Sequence, residues 1–291
     1  VGTNIMLGSE HMLAVKDGSL HSFYRRLVGS AMTPSACNAA VPNLQALAEK
    51  QAQKMLQSST VKMEDICSEY TLDVAWRQIL GLNLAQDEIE EFYDMVSKWV
   101  GGIIHPRSLF RVFPKQTQAY KARQYLVNKI EAKIEDLRRN GADATTISGL
   151  VFATDEENSS EKLTRVQIID NALLLILAGS ETSASTLVNL MLCLGLHRKA
   201  WEKVVDEQRQ IQAKYGDDLD REILEKQCPY LEAAIKETMR IRPLVSGAPR
   251  RLKSTQIIDG YQVPKGWKVF WNILLTHAQD PITSTEDGSH M

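Results

Sequence analysis

"LLLILAGSETSAST", residues 173–186, decides how the chain is read. An apolar run, Leu173 to Ala178, flows without a turn signal into Gly179, Ser180, Glu181 and Thr182. Inside a core helix, Gly costs about 1 kcal/mol against Ala. A buried carboxylate costs more unless it is paired or neutral. Upstream, Thr164-x-x-Gln167 before Ile168 and Ile169 is a capping box, which starts a helix that can run to His197. That is roughly 50 Å at 1.5 Å per residue, enough to cross a domain. Ala178, Gly179 and Thr182 fall within one turn, on or near one face. The two small residues leave a hollow toward which Thr182 points its hydroxyl, with Glu181 beside it. A hydroxyl next to a carboxylate at a hollow can deliver protons. A close helix crossing with a back-bonded Thr explains the same residues. On this segment alone both readings stay open.

Outward from that helix, the bulk properties exclude several classes. The chain has 291 residues, 44% hydrophobic and 24% charged, with a formal net charge of -2. It is globular, one large domain or two ordinary ones. Its charge gives no electrostatic case for nucleic acid. No unbroken apolar run approaches the roughly 18 residues of a membrane span. Cys37, Cys67, Cys193 and Cys228 lack zinc-type spacing and read as reduced thiols, Cys193 as a buried core thiol. The start at Val1 and the ending "EDGSHM" read as a fragment.

Helical periodicity predicts helices over 20–31, 42–57 (Pro42 in the first turn), 67–80, 87–100, 115–139, 199–215, 220–227 and 230–241. In the 67–80 helix, Tyr70, Val74 and Ile79 are the expected core positions. Residues 140–162 are polar and read as a surface loop, and the sequon at Asn158 as accidental. After Pro243 the period becomes strand-like. Asp259-Gly260 signals a hairpin, and Val263-Pro264-Lys265-Gly266 a type I turn. The expectation is a single, mainly α domain over 1–291 with a small antiparallel sheet near its C-terminus.

Three further clusters could carry chemistry. In "KETMR", Glu237 and Arg240 are spaced to pair on a helix. In "HSFYRRLVG", His21 and Arg25 lie one turn apart with Arg26 adjacent, a donor stripe for carboxylates or phosphates. Arg250 and Arg251 add a second basic element. Asp73, His105 and His277 have no spaced partners, and His277 reads as a hydrogen-bonded structural histidine. HExxH, GxSxG, GxGxxG and Walker A patterns are absent.

Taken in order, these pieces resemble one family, the cytochrome P-450 monooxygenases. "AGSET" resembles their oxygen-activating helix and "KETMRIRP" their ExxR helix. "GYQVPKGWKVFWNILLTHAQDP" resembles the strand-turn-strand that follows, and "HSFYRRLVGSAMTP" the helix near the haem propionates. His21, where many members have Trp, with "PKGW", resembles the eukaryotic branch acting on sterols, terpenoids and retinoids. The resemblance implies a cytochrome P-450-like helical fold, incomplete here. It implies haem as cofactor, with O2 and NADPH-derived electrons. His21 and Arg25 would bond one haem propionate and Arg250 the other. Glu181 and Thr182 would relay protons. Ala178 and Gly179 would lie against the cofactor, and Gly179 would let ligands approach the backbone. Leu174, Ala178, Val245 and Ser246 would line a pocket for a small apolar substrate, sterol-, terpenoid-, retinoid- or fatty-acid-like. Glu237 and Arg240 would hold the core under the haem as a buried pair.

The implied partner is a cytochrome P-450 reductase or a ferredoxin-type donor. The implied location is the cytosolic face of the endoplasmic reticulum membrane, reached through a segment outside this chain. The family's iron ligand is a Cys in a Phe- and Gly-rich loop. None of the four cysteines has such surroundings, so the metal ligand is expected outside this chain and the fragment alone is expected to be inactive. The alternative, from a different class, is a non-catalytic helical module that binds an apolar ligand.

Overall fold

In the computed structural model, residues 6–13, 18–104, 116–155, 161–217 and 219–279 are described. His105 and Asn158 lie outside them. The helices are α1 (Ser19–Ser30), α2 (Pro34–Leu56), α3 (Met63–Val74), α4 (Gln86–Ile104), α5 (Gln118–Asn140), α6 (Thr146–Phe152), α7 (Arg165–Leu196), α8 (Arg198–Tyr215), α9 (Arg221–Lys226) and α10 (Pro229–Ile241). Strands β1 (Gly247–Arg251), β2 (Gln256–Ile258), β3 (Tyr261–Val263) and β4 (Lys268–Asn272) follow, then α11 (Ile273–Gln279). The expected mainly α fold with a late antiparallel sheet is what forms. Packing groups the chain into two compact units. The first is Val1–Ala184 with Asp218–Arg221, the second Ser185–Asp217 with Glu222–Met291.

In the first unit, Phe92, Val96 and Trp99 of α4 share a core with Ala122, Leu126 and Ile130 of α5 and with Ile168, Ala172 and Ile176 of α7. Burying a side chain of this size stabilises by about 1.5–3 kcal/mol. Helix α7 begins as its capping box dictates. Thr164 N donates to Gln167 Oε1 at 2.9 Å, and Gln167 N donates back to Thr164 Oγ1 at 3.3 Å. By length and composition α7 could cross a bilayer, yet its apolar residues from Ile168 to Ile176 lie in this core.

Several expectations need correction here. Helix α2 starts at Pro34, and Pro42 lies inside it. Thr33 supplies the cap, its Oγ1 accepting from Ala36 N at 3.2 Å, and Pro34 occupies the first turn, where a missing N–H costs nothing. The 140–162 segment contains helix α6, capped by Thr145, because Ile147 and Leu150 supply an apolar face that is buried. Asp73 is a hub where no partner was expected. Fully buried, it accepts from Lys50 Nζ (2.8 Å), Trp76 Nε1 (2.9 Å) and Tyr93 OH (2.5 Å). Burial pushes its carboxyl upward, but these donors outweigh burial and hold it below the ordinary value. A π-helical turn, Ala75–Ile79, follows directly and buries Ala75 and Trp76. Tyr70, Val74 and Ile79 are only half-buried.

In the second unit, Leu190 and Leu194 from the end of α7 pack with Val204 of α8 and with Leu231, Ala234 and Ile235 of α10. Helix α10 lacks a side-chain cap of its own. Glu207 of α8 supplies one, accepting from Tyr230 N (2.7 Å) and Leu231 N (2.9 Å). A carboxylate there also complements the positive end of the helix. All four cysteines are free thiols, but Cys193 is half-buried, not a core thiol. The Asp259-Gly260 hairpin forms, with Ile258 paired to Tyr261. The next turn sits one residue later than expected. Trp267 N donates to Pro264 O at 3.2 Å, and Gly266 takes φ +88° as the third residue, a type II pattern.

Candidate functional site

The candidate residues divide between the units, and each set is described within its own. In the first unit, α1 buries Tyr24, Leu27 and Val28 and turns Arg25 outward. Two ties fix the helix. Gln167 Nε2 of α7 donates to Tyr24 OH at 3.0 Å. Arg26 forms a bidentate pair with Asp155, Nε to Oδ1 at 3.1 Å and Nη2 to Oδ2 at 2.8 Å, and the carboxylate is buried. The two adjacent arginines therefore differ in kind. Arg26 is bound into the fold, whereas Arg25 is exposed and has no ion-pair partner among the described residues. His21 is half-buried one turn before it.

On α7, Leu174 is buried while Ala178, Glu181 and Thr182 are exposed and Gly179 is half-buried. A Cβ added at Gly179 would meet only Ile79 Cδ1, at 3.8 Å, an ordinary contact. No described residue crowds this glycine, so close packing among the described residues does not account for it. The hydroxyl half of that competing reading does hold. Thr182 Oγ1 donates to Ala178 O at 2.6 Å. Its lone pairs still point away from that bond and can accept from a donor on the open side. Glu181 has no ion-pair partner among the described residues, and Ser180 Oγ is buried without a hydrogen bond. No described hydrogen bond joins His21 or Arg25 to residues 178–182, so any one ligand for both would itself span them.

In the second unit, Glu237 and Arg240 pair in bidentate fashion, Nε to Oε2 at 2.7 Å and Nη2 to Oε1 at 2.6 Å. Glu237 holds the guanidinium above its ordinary value. The pair is not buried as expected. Its side chains remain 25% (Arg240) and 33% (Glu237) exposed. His277 Nδ1 lies 3.1 Å from Arg240 O, the structural bond expected of it. Val245 and Ser246 are exposed in the turn before β1. Arg250 is exposed on β1, opposite Val269, and Nη1 donates to Pro249 O at 3.0 Å.

Sequence reasoning passed over one constellation in the first unit. Asp170 and Asn171, in "IIDNALLL", are buried on α7. Both bond the backbone of residues 6–12, and Asp170 also pairs with Arg123 at 3.2 Å. The signal was available, since two polar residues inside an apolar helical run require bonded partners.

A family-wide sequence profile described as Cytochrome P450 matches residues 3–282. A "Putative cytochrome P450 120" from Synechocystis sp. is 27% identical over 99% of this chain and 66% of its own length. "Cytochrome P450 26B1" from Xenopus tropicalis is 26% identical over 98% of this chain and 57% of its own. Among solved structures, "Retinoic acid bound cyanobacterial CYP120A1" superposes with a TM-score of 0.81 at 26% identity, covering 96% of this chain and 62% of that one. The chain thus spans about 57–66% of the length of these curated relatives. They include a cyanobacterial protein beside the vertebrate one, so the likeness is not confined to eukaryotes.

Proposed function

The chain belongs to the cytochrome P450 family, and on that premise we propose that the whole protein is a haem-dependent monooxygenase. It inserts one oxygen atom of O2 into an apolar substrate, with NADPH-derived electrons delivered by a reductase or a ferredoxin-type donor. Bound haem supplies the oxygen activation. The residues of this chain bind, orient and move protons. The observation that carries the reading is the contrast at the end of the first unit's central helix. Gly179, Glu181 and Thr182 interrupt an apolar helix, yet packing does not demand the glycine and no described side chain forms an ion pair with the carboxylate.

The residues present fit a haem in their donor chemistry. Arg25 is a free guanidinium suited to a carboxylate in bidentate geometry. His21, one turn away, adds a second donor to the same propionate, and Arg250, exposed in the second unit, is a guanidinium of the same chemistry. Ala178 and Gly179 leave the helix surface thin where a flat ligand would lie. Glu181 takes protons from water at the exposed face. Thr182 relays by rotating its hydroxyl off Ala178 O, giving its own proton toward the hollow beside Gly179 as it takes one from the Glu181 side. Within the first unit Leu174 and Ala178 are the proposed substrate contacts, and Val245 and Ser246 keep that role within the second. Glu237 and Arg240 support the fold of the second unit. A retinoid-like substrate is favoured within the sterol, terpenoid, retinoid and fatty-acid range, because the solved cyanobacterial relative was captured with retinoic acid. Membrane association at the endoplasmic reticulum is part of the same proposal.

Hemin titration of the purified chain, followed by absorbance, tests the binding step. Arg25→Ala should weaken uptake about tenfold to a hundredfold, the value of one charged hydrogen-bonding group. Equal uptake by parent and variant would remove Arg25 from the propionate site. Tight binding of an apolar ligand without hemin uptake would favour the non-catalytic module instead.

A further inference from the structure

Residues 6–12 precede α1 and are held almost entirely by side chains from three helices. Met6 O accepts from Trp99 Nε1 of α4 (2.8 Å) and from Arg123 Nε of α5 (3.1 Å). Glu10 N donates to Asp170 Oδ2 (3.0 Å) and Met12 N to Asn171 Oδ1 (3.0 Å), both on α7. Asn171 Nδ2 donates in turn to Glu10 O at 3.3 Å. Gly8 sits at φ +92°, where an added Cβ would come within 2.0 Å of the Asp170 carboxyl group, so only glycine fits the approach. Met6, Leu7 and His11 are buried under this arrangement, His11 to 4% exposure.

We propose that residues 6–12 form a proton-sensitive strap, latched onto α7 by Asp170 and Asn171 near neutral pH and released when His11 is protonated. Among the described residues, Asp170 of α7 is the charged group that acts on His11; Asp170 in turn pairs with Arg123 of α5, and it and Glu10 of the strap act on Tyr24 of α1. Asp170 favours a cationic His11, as does a hydrogen bond with the Gly8 backbone. Burial outweighs both and holds His11 below its ordinary value of 6.5. The carboxylate is also already shared between Arg123 and Glu10 N. A released His11 in water returns to about 6.5. The latched state therefore binds fewer protons. Its advantage is complete above about pH 6.5 and is lost as pH falls through the latched value.

Amide hydrogen exchange of residues 6–13 in the purified chain, corrected for the intrinsic pH dependence, reads the latch at about pH 7.5 and about pH 5. Protection should fall at the lower pH, by up to about thirtyfold, the ceiling set by a released His11 near 6.5, while α5, residues 118–140, holds. His11→Gln should abolish that step. Asn171→Ala should lower protection at both pH values and keep the step, which separates latch from sensor. The proposal is overturned if the parent shows no step, if the step persists in His11→Gln, or if α5 loses protection in parallel. Should His11→Gln fail to fold, ring-proton NMR of His11 in the parent decides. A titration midpoint at or above about 6.5 contradicts the strap.

Discussion

Helix α7 is interrupted twice, and the two interruptions are opposites. At Asp170–Asn171 the polar groups are buried and fully engaged, by Arg123 and by the backbone of residues 6–12. At Gly179–Thr182, Glu181 and Thr182 are exposed, Glu181 has no described ion-pair partner, Ser180 Oγ is buried without a hydrogen bond, and a Cβ added at Gly179 would meet only Ile79. The first pattern is architecture, since an unpaired buried carboxylate would not be tolerated. The second contributes little to the packing of the described residues, as the proposed ligand role requires. Arg26 and Arg25 repeat the lesson on α1. One is fastened to buried Asp155, and its neighbour faces solvent.

Mutations can break or sharpen that contrast. The largest effect should come from Asp170→Ala. It strands Arg123, only 14% exposed, and the Glu10 amide, at about 3–5 kcal/mol in urea denaturation. A loss below about 1 kcal/mol would mean the buried interruption is not structural. Next, Arg26→Ala should cost about 1.5–3 kcal/mol by leaving the Asp155 carboxylate without its cation. Arg25→Ala should stay within about 0.5 kcal/mol of the parent. Equal losses would erase the distinction between the two arginines. Glu237→Ala should cost only about 1 kcal/mol, because the pair is a quarter to a third exposed and solvent screens it. A loss of 3 kcal/mol or more would restore the buried-pair expectation. The smallest stability effect belongs to Thr182→Ala, within about 0.5 kcal/mol in a melting curve. If the whole protein is the proposed monooxygenase, the same change should uncouple electron consumption from product, and an unchanged product yield per electron would end the proton-relay role.

The fold was legible wherever one element's own residues determine it. The Thr164–Gln167 box, the Asp259-Gly260 hairpin and the late strands all rest on local chemistry, and all formed. The errors arose where distant groups decide. Helix α6 exists because Ile147 and Leu150 find a core that the polar composition of 140–162 conceals. Asp73 is satisfied by Lys50 and Tyr93, which lie 23 and 20 residues away in sequence. No spacing rule connects them. Candidate site residues could be named from ordered motifs. Their exposure, and which arginine was free, could not.

One substitution tests the central claim most directly. If Gly179 is kept for a ligand and not for packing, Gly179→Ala should stabilise the chain by about 0.5–1 kcal/mol, because the new Cβ meets only Ile79 at 3.8 Å. The same variant should take up hemin more weakly than the parent in a parallel titration. A higher melting temperature with weaker uptake is the predicted result. A lower melting temperature with unchanged uptake would show that the glycine serves the fold, and would contradict the account.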